Sequence, residues 1–183
     1  MASGAAYAAF LRGMNVGGHR LTNSELEAHF RAIGLCDIRT FRASGNVVFA
    51  AEERTPAQLG ALIEAGLEAA LGYAVPSYIR SAEQLLEIAA SEPFTAEELL
   101  ASGGKLQVAL LARAPSAAAR RRVLALASEQ DRLAFGPCEL YWLPSGGLLE
   151  SQLDLKAIAA ELGAMTTRTK GTMEQMASKF FAG

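Results

Sequence analysis

Apolar runs and helical repeats divide the chain into an ordered series of short elements. Ala6 to Leu11 is a compact apolar run closed by Arg12-Gly13-Met14-Asn15-Val16-Gly17-Gly18, which predicts a buried strand followed by a loop. Thr22 with Glu25 three positions on forms a capping-box signature, Leu26, Phe30 and Ile33 recur at helical spacing, and Gly34 supplies a stop. Ile38 to Arg42 and Val47 to Phe49 are β-rich runs around Ala43-Ser44-Gly45-Asn46, where Gly45-Asn46 is expected to take the positive-φ positions of a tight hairpin. Thr55-Pro56-Ala57-Gln58 opens a second helix with Leu59, Leu62, Ile63 and Leu67 on one face and Gly72 at its end. Ala74 to Arg80 then reads as a strand, and Pro76 inside it places that strand at a sheet edge, because proline cannot donate to a ladder.

The order to this point is β-α-β-β-α-β, the split βαβ or ferredoxin-like arrangement. Ser81 with Gln84 starts another helix. Ser91-Glu92-Pro93-Phe94 breaks the pattern, and Ser102-Gly103-Gly104 reads as a linker. Beyond it the order recurs: a strand at Lys105 to Leu111, a helix at Ser116 to Ala127, a hairpin of Arg132 to Phe135 with Glu139 to Leu143 turning at Gly136-Pro137, a helix at Leu153 to Leu162, and a short strand at Ala164 to Arg168. Thr172 to Phe180 adds a last helix. The expected fold class is therefore α+β, with two ferredoxin-like subdomains in tandem at residues 1–80 and 105–168, a connecting helix and linker at 81–104, and a C-terminal helix at 169–183.

Composition narrows the classes of function. Of 183 residues, 51% are hydrophobic and 20% charged, enough for a packed core and against a disordered chain. No apolar run approaches the roughly 20 residues of a membrane span, and the N-terminal stretch lacks a basic n-region, so a cytoplasmic protein without membrane attachment is expected. Cys36 and Cys138 lie far apart with only His19 and His29 as nitrogen donors, which argues against a structural zinc site or a disulfide framework. A net charge of −2 disfavours nucleic-acid binding by phosphate neutralisation. The tail from residue 164 is nevertheless basic, with three cations against one acid.

Two segments have the chemistry of anion binding. In Arg12 to Gly18, glycines permit close approach of backbone N–H groups while Arg12 can fork onto a phosphate or carboxylate. The spacing is neither that of a P-loop nor that of a dinucleotide site, and the plainer reading is a connection whose glycines only make the turn. Thr166-Thr167-Arg168-Thr169-Lys170-Gly171-Thr172 gathers hydroxyls and two cations ahead of a helix, where the macrodipole also favours an anion; a capping segment explains it equally. Ser44 lacks the surroundings of a nucleophile, and His19 is the one general base near the first loop. Arg120-Arg121-Arg122 spreads around its helix as a solvated face.

Taken together, Leu11-Arg12-Gly13-Met14-Asn15-Val16-Gly17-Gly18, Ser44-Gly45-Asn46-Val47-Val48-Phe49, Pro93-Phe94, Pro144, Gly146, Ser151, Leu153, Leu162-Gly163 and Thr166-Thr167-Arg168 with Thr172 resemble the bacterial domain-of-unknown-function family numbered 1697. The resemblance implies no assigned activity, and it leaves any cofactor unknown. The chain departs from the family pattern at Gln152, where many members have lysine, and at Thr169-Lys170-Gly171, where many carry a tryptophan. Arg12, Gly13, Asn15, Gly17, Gly18, Ser44, Asn46, Thr167, Arg168 and Thr172 remain as candidate ligand-binding residues in matching positions, mostly in loops.

The leading expectation is a binding module on which the two segments present a small anionic ligand such as a nucleotide. The rivals are an enzyme acting on a phosphorylated or carboxylated metabolite with His19 as base, a single-strand nucleic-acid binder using Phe41 between Arg39 and Arg42, and a structural or homo-oligomeric role in which the glycines only make turns.

Overall fold

The computed structural model describes residues 4–15, 20–42 and 45–182. Val16, Gly17, Gly18, His19 and Ser44, singled out from the sequence, lie outside the described residues. The chain is mixed α+β with two four-stranded antiparallel sheets, ordered β2-β3-β1-β4 and β6-β7-β5-β8. It divides into two compact units, Met1–Leu86 with Met176–Gly183, and Glu87–Gln175.

In the first unit, β1 (Ala5–Leu11) runs between β3 (Asn46–Ala51) and β4 (Ser77–Ser81), with β2 (Cys36–Thr40) on the outer side of β3. Both helices start on full capping boxes. The Thr22 and Thr55 hydroxyls accept the N–H of Glu25 and Gln58, whose side chains accept the cap N–H in return, for α1 (Asn23–Ala32) and α2 (Pro56–Leu71). Leu26, Phe30, Leu59, Ile63 and Leu67 are the buried stripes of these helices, and they pack on Tyr7, Ala9, Leu11 and Phe49 of the sheet. Each such side chain contributes about 1.5–3 kcal/mol by leaving water. Phe49 meets Tyr7 and Phe30 at ring separations of 5.7 Å. Ala8 and Phe10, which alternate with the core-facing residues, are also fully buried, which explains why β1 reads as one continuous apolar run.

In the second unit, β5 (Gln107–Leu111) is flanked by β7 (Glu139–Pro144) and β8 (Met165–Thr169), with β6 (Asp131–Phe135) outermost beside β7. Ala109, Leu111, Leu140 and Trp142 pack against Val123 and Ile158 of α5 (Ala117–Leu124) and α6 (Leu155–Leu162). Val108, Leu110, Tyr141 and Leu143 on the opposite sheet face are buried as well. The remaining helices are α3 (Ala82–Ala90), α4 (Ala96–Ser102) and α7 (Lys170–Phe180).

Several local expectations are revised. Asn46 does not take a positive φ; it begins β3 opposite Phe10, and among the described residues of the hairpin the left-handed ones are Arg42 (φ 58°) and Gly45 (φ 68°). Pro76 sits one residue before β4, which is an edge strand, and its carbonyl accepts the Arg12 N–H at 2.9 Å. Helix α4 occupies a stretch read as a connection. Thr95 and Glu98 form its capping box, but Leu99 and Leu100 are exposed, so no buried stripe advertised it. The last helix starts at Lys170, two residues early, because Thr169 caps it.

Candidate functional site

The end of the first sheet where β1 leaves, the β2–β3 hairpin turns and β4 enters brings the two N-terminal motifs together. The Leu11 N–H donates to the Gly45 carbonyl at 2.8 Å, and the next residue, Arg12, is bonded to the chain entering β4. Gly13 has φ 70°, a conformation that costs other residues about 1–2 kcal/mol. Gly45 combines a positive φ with crowding, since a Cβ there would lie 3.1 Å from the Leu11 Cβ and 3.3 Å from the Met14 sulfur. Met14 is buried and its carbonyl accepts the Tyr73 hydroxyl at 3.0 Å, pinning the loop to the segment before β4.

Within this frame the polar side chains have distinct roles. Asn15 Oδ1 accepts the Leu21 N–H at 2.8 Å, closing the loop across six residues. Asn46 is fully buried and its amide donates to the Phe41 carbonyl, a turn-forming contact. Arg12 is exposed and its guanidinium donates to the Tyr78 hydroxyl. Burial pushes that hydroxyl above its ordinary value, with Arg12 partly opposing the shift. Phe41 is engaged by its own surroundings, edge-on to Phe180 with Arg42 and Lys179 over its ring.

The other predicted residues, Thr167, Arg168 and Thr172, lie in the second unit. Arg168 donates through Nη1 to the Thr166 hydroxyl and the Thr167 carbonyl, both at 2.9 Å, and burial pulls its guanidinium below its ordinary value. Thr169 and Thr172 hydroxyls bond each other at 2.9 Å while the Thr172 N–H donates to Thr169 Oγ1. The Lys170 ammonium is held by the Ala89 carbonyl and Glu174. The segment thus works as strand end and helix cap, and Thr167 keeps an exposed side chain.

The second unit also contains a polar cavity of about 470 Å³ that sequence reasoning missed. Its wall includes Ser128, Asp131, Ser145, Glu150, Ser151 and Gln152. Asp131 is 2% exposed, and its Oδ1 accepts from Trp142 Nε1 and Ser151 Oγ, both at 2.7 Å. Pro144, Gly146, Ser151 and Leu153, all among the family-like positions, were the sequence signals pointing here; the pairing of Asp131 with Trp142 across β6 and β7 exists only in the folded sheet.

No curated protein matches the chain. Among solved structures, a conserved bacterial protein from Streptococcus pneumoniae shares the fold at a TM-score of 0.72 and 17% identity, covering 95% of this chain and 97% of that one. Among the described residues, no helix is long and apolar enough to cross a membrane. The family model described as a protein of unknown function, DUF1697, matches residues 5–141, a stretch that contains both N-terminal motifs and ends before Ser151 and Thr166. With more than half of its length matched, the chain belongs to the DUF1697 family.

Proposed function

We propose that this protein binds a small anionic ligand, carrying phosphate or carboxylate, at the sheet end built by Arg12 and Gly13. The observation that carries this reading is the exposed Arg12 guanidinium, oriented by the Tyr78 hydroxyl on a loop that Gly45, Pro76 and Tyr73 hold in place. A cation already fixed by its surroundings loses little side-chain freedom when a planar anion docks on it. Arg168, Thr167 and Thr172 belong to the same proposal as a separate contact, tested on its own.

We also read each unit as a ferredoxin-like repeat. Support comes from the shared strand order and from matching details. Arg80 faces Ala8 across the β1–β4 ladder as Arg168 faces Val108 across β5–β8, and each donates to the carbonyl of the residue before it. Ser81 and Thr169, the next residues, each accept an N–H three positions on.

The test is thermal unfolding in the presence of inorganic phosphate, pyrophosphate and a nucleoside diphosphate. A ligand at a hundredfold its Kd stabilises by about 2.7 kcal/mol, which for a chain of this size raises Tm by about 5–10 °C. Arg12→Ala is expected to remove most of that rise, and Arg168→Ala tests the second contact separately. A rise that survives both substitutions, or no rise with any of the three probes, overturns the reading.

A further inference from the structure

Asp131 is a carboxylate buried in the second unit at the cavity wall, and among the described residues no cation pairs with it. Its two partners, the Trp142 indole N–H and the Ser151 hydroxyl, are neutral, and the neighbouring Arg132 is paired with Glu98 at 2.9 Å. Both accepted bonds land on Oδ1. Among the described residues no buried side-chain nitrogen or oxygen lacks a partner, so Oδ2, which accepts none of these bonds, is not fully buried, and Asp131 is one of the residues that line the cavity. A carboxylate in this position costs several kcal/mol of desolvation unless a donor of opposite charge meets it.

The cavity wall extends this chemistry. Its twelve residues include two carboxylates, Asp131 and Glu150, and no Lys, Arg or His. Gln152 adds an uncharged amide to the wall. The Ser128 hydroxyl accepts the Asp131 N–H and retains a second lone pair and its proton. The mouth is a defined turn, with the Ser145 N–H on the Gln130 carbonyl at 2.6 Å and the Gly147 N–H on Glu150 Oε2 at 3.3 Å. At about 470 Å³ the space is that of a small-molecule site, larger than a lone ion requires.

We infer that this cavity binds a small organic cation, a primary ammonium on a hydroxyl- or amide-bearing body, with the ammonium on Asp131 Oδ2. An ammonium offers three donors, which match Oδ2 and the adjacent serine oxygens, and a charge-assisted bond to a buried carboxylate is about twice as strong as a neutral one. The site is separate from the Arg12 loop and takes the opposite charge, so either proposal can fail without the other.

Trp142 is the chain's single tryptophan, and its indole N–H rests on the proposed ligand's partner, so intrinsic fluorescence reports directly on the site. The purified protein is titrated with 4-amino-1-butanol and, in parallel, with 1,4-butanediol, which replaces the ammonium by a hydroxyl. The expected result is a saturable change with the amine, at a Kd of the order of millimolar, and none with the diol. Asp131→Asn keeps an acceptor for Trp142 and Ser151 but removes the charge, and is expected to weaken amine binding tenfold or more. Glu150→Gln, at the exposed lip, is expected to weaken it by a smaller factor. A flat amine titration to about 100 mM, equal responses to amine and diol, or unchanged amine affinity in a folded Asp131→Asn chain overturns the inference. The comparison of amine with diol needs no variant and stands if Asp131→Asn does not fold.

Discussion

Adding one methyl group at Gly104 tests the closeness of packing behind the cavity. A Cβ there would fall inside the Pro144 carbonyl oxygen and lie 2.9 Å from the Gly146 oxygen, whereas ordinary contact begins at 3.4 Å. Both obstructing groups are backbone, so no side chain can turn away; the chain leaving β7 must move by roughly an ångström. That movement strains the pairing of Pro144 with Asp131 and the adjacent bond from the Ser145 N–H to Gln130. Overpacking of this kind costs about 1–3 kcal/mol and a disturbed hydrogen bond about 0.5–1.5 kcal/mol, so Gly104→Ala is expected to destabilise the protein by about 2–4 kcal/mol. Gly171→Ala is the matched control. The same methyl in α7 meets nothing within 4 Å, and the helix gains about 0.5–1 kcal/mol from the stiffer residue. The assay is urea unfolding followed by far-ultraviolet circular dichroism, comparing midpoints at constant slope. If Gly104→Ala unfolds at the native midpoint, or if both substitutions shift it alike, the argument from close approach is wrong.

Two further outcomes follow from the same reasoning. Gly34→Ala, with φ 93° and open space around it, is expected to lose about 1–2 kcal/mol from backbone strain alone, measured by the same urea midpoints, and Gly45→Ala to lose more, because crowding at Leu11 adds to its positive φ. Stability should fall in acid: Glu161 is held below its ordinary 4.5 by two hydrogen bonds from Arg122, and Glu25 and Glu98 by the N–H groups of Thr22 and Thr95. These folded values lie below the unfolded ones, so the carboxylates stabilise the fold above about pH 4.5 and that stability is lost as pH falls through the folded values. Tm measured against pH should show a shallower acid limb for Glu161→Gln, and an unchanged limb refutes this account.

The helices were legible because their signals are local. Thr22 with Glu25 and Thr55 with Gln58 are read from four consecutive residues, and the same residues make the bonds in the folded chain. The strands were legible where burial on both faces makes a continuous apolar run, as in β1 and β5. The same criterion failed for α4, whose Leu99 and Leu100 face solvent. In the hairpin, Gly45 was the recognisable left-handed residue, but Asn46 is committed to the β1 ladder, and the other positive φ among the described residues there is that of Arg42.

The candidate sites divide along the same line. Arg12 and its glycines stand out in sequence because positive φ and an exposed cation in a loop are properties of adjacent residues. By itself the sequence determined the order of elements, the residues able to stop and start them, and the polarity of the two motif loops, since capping, turn geometry and hydrophobic period act over a few positions. Only the tertiary structure decided that Arg168 spends its guanidinium on Thr166, that the Thr169 and Thr172 hydroxyls bond each other, and that Arg12 leans on Tyr78. It alone decided that Asp131, Trp142 and Ser151 meet around a cavity. The Asp131 contacts join residues 11 and 20 positions apart, and their strength depends on burial, which no local pattern of residues specifies.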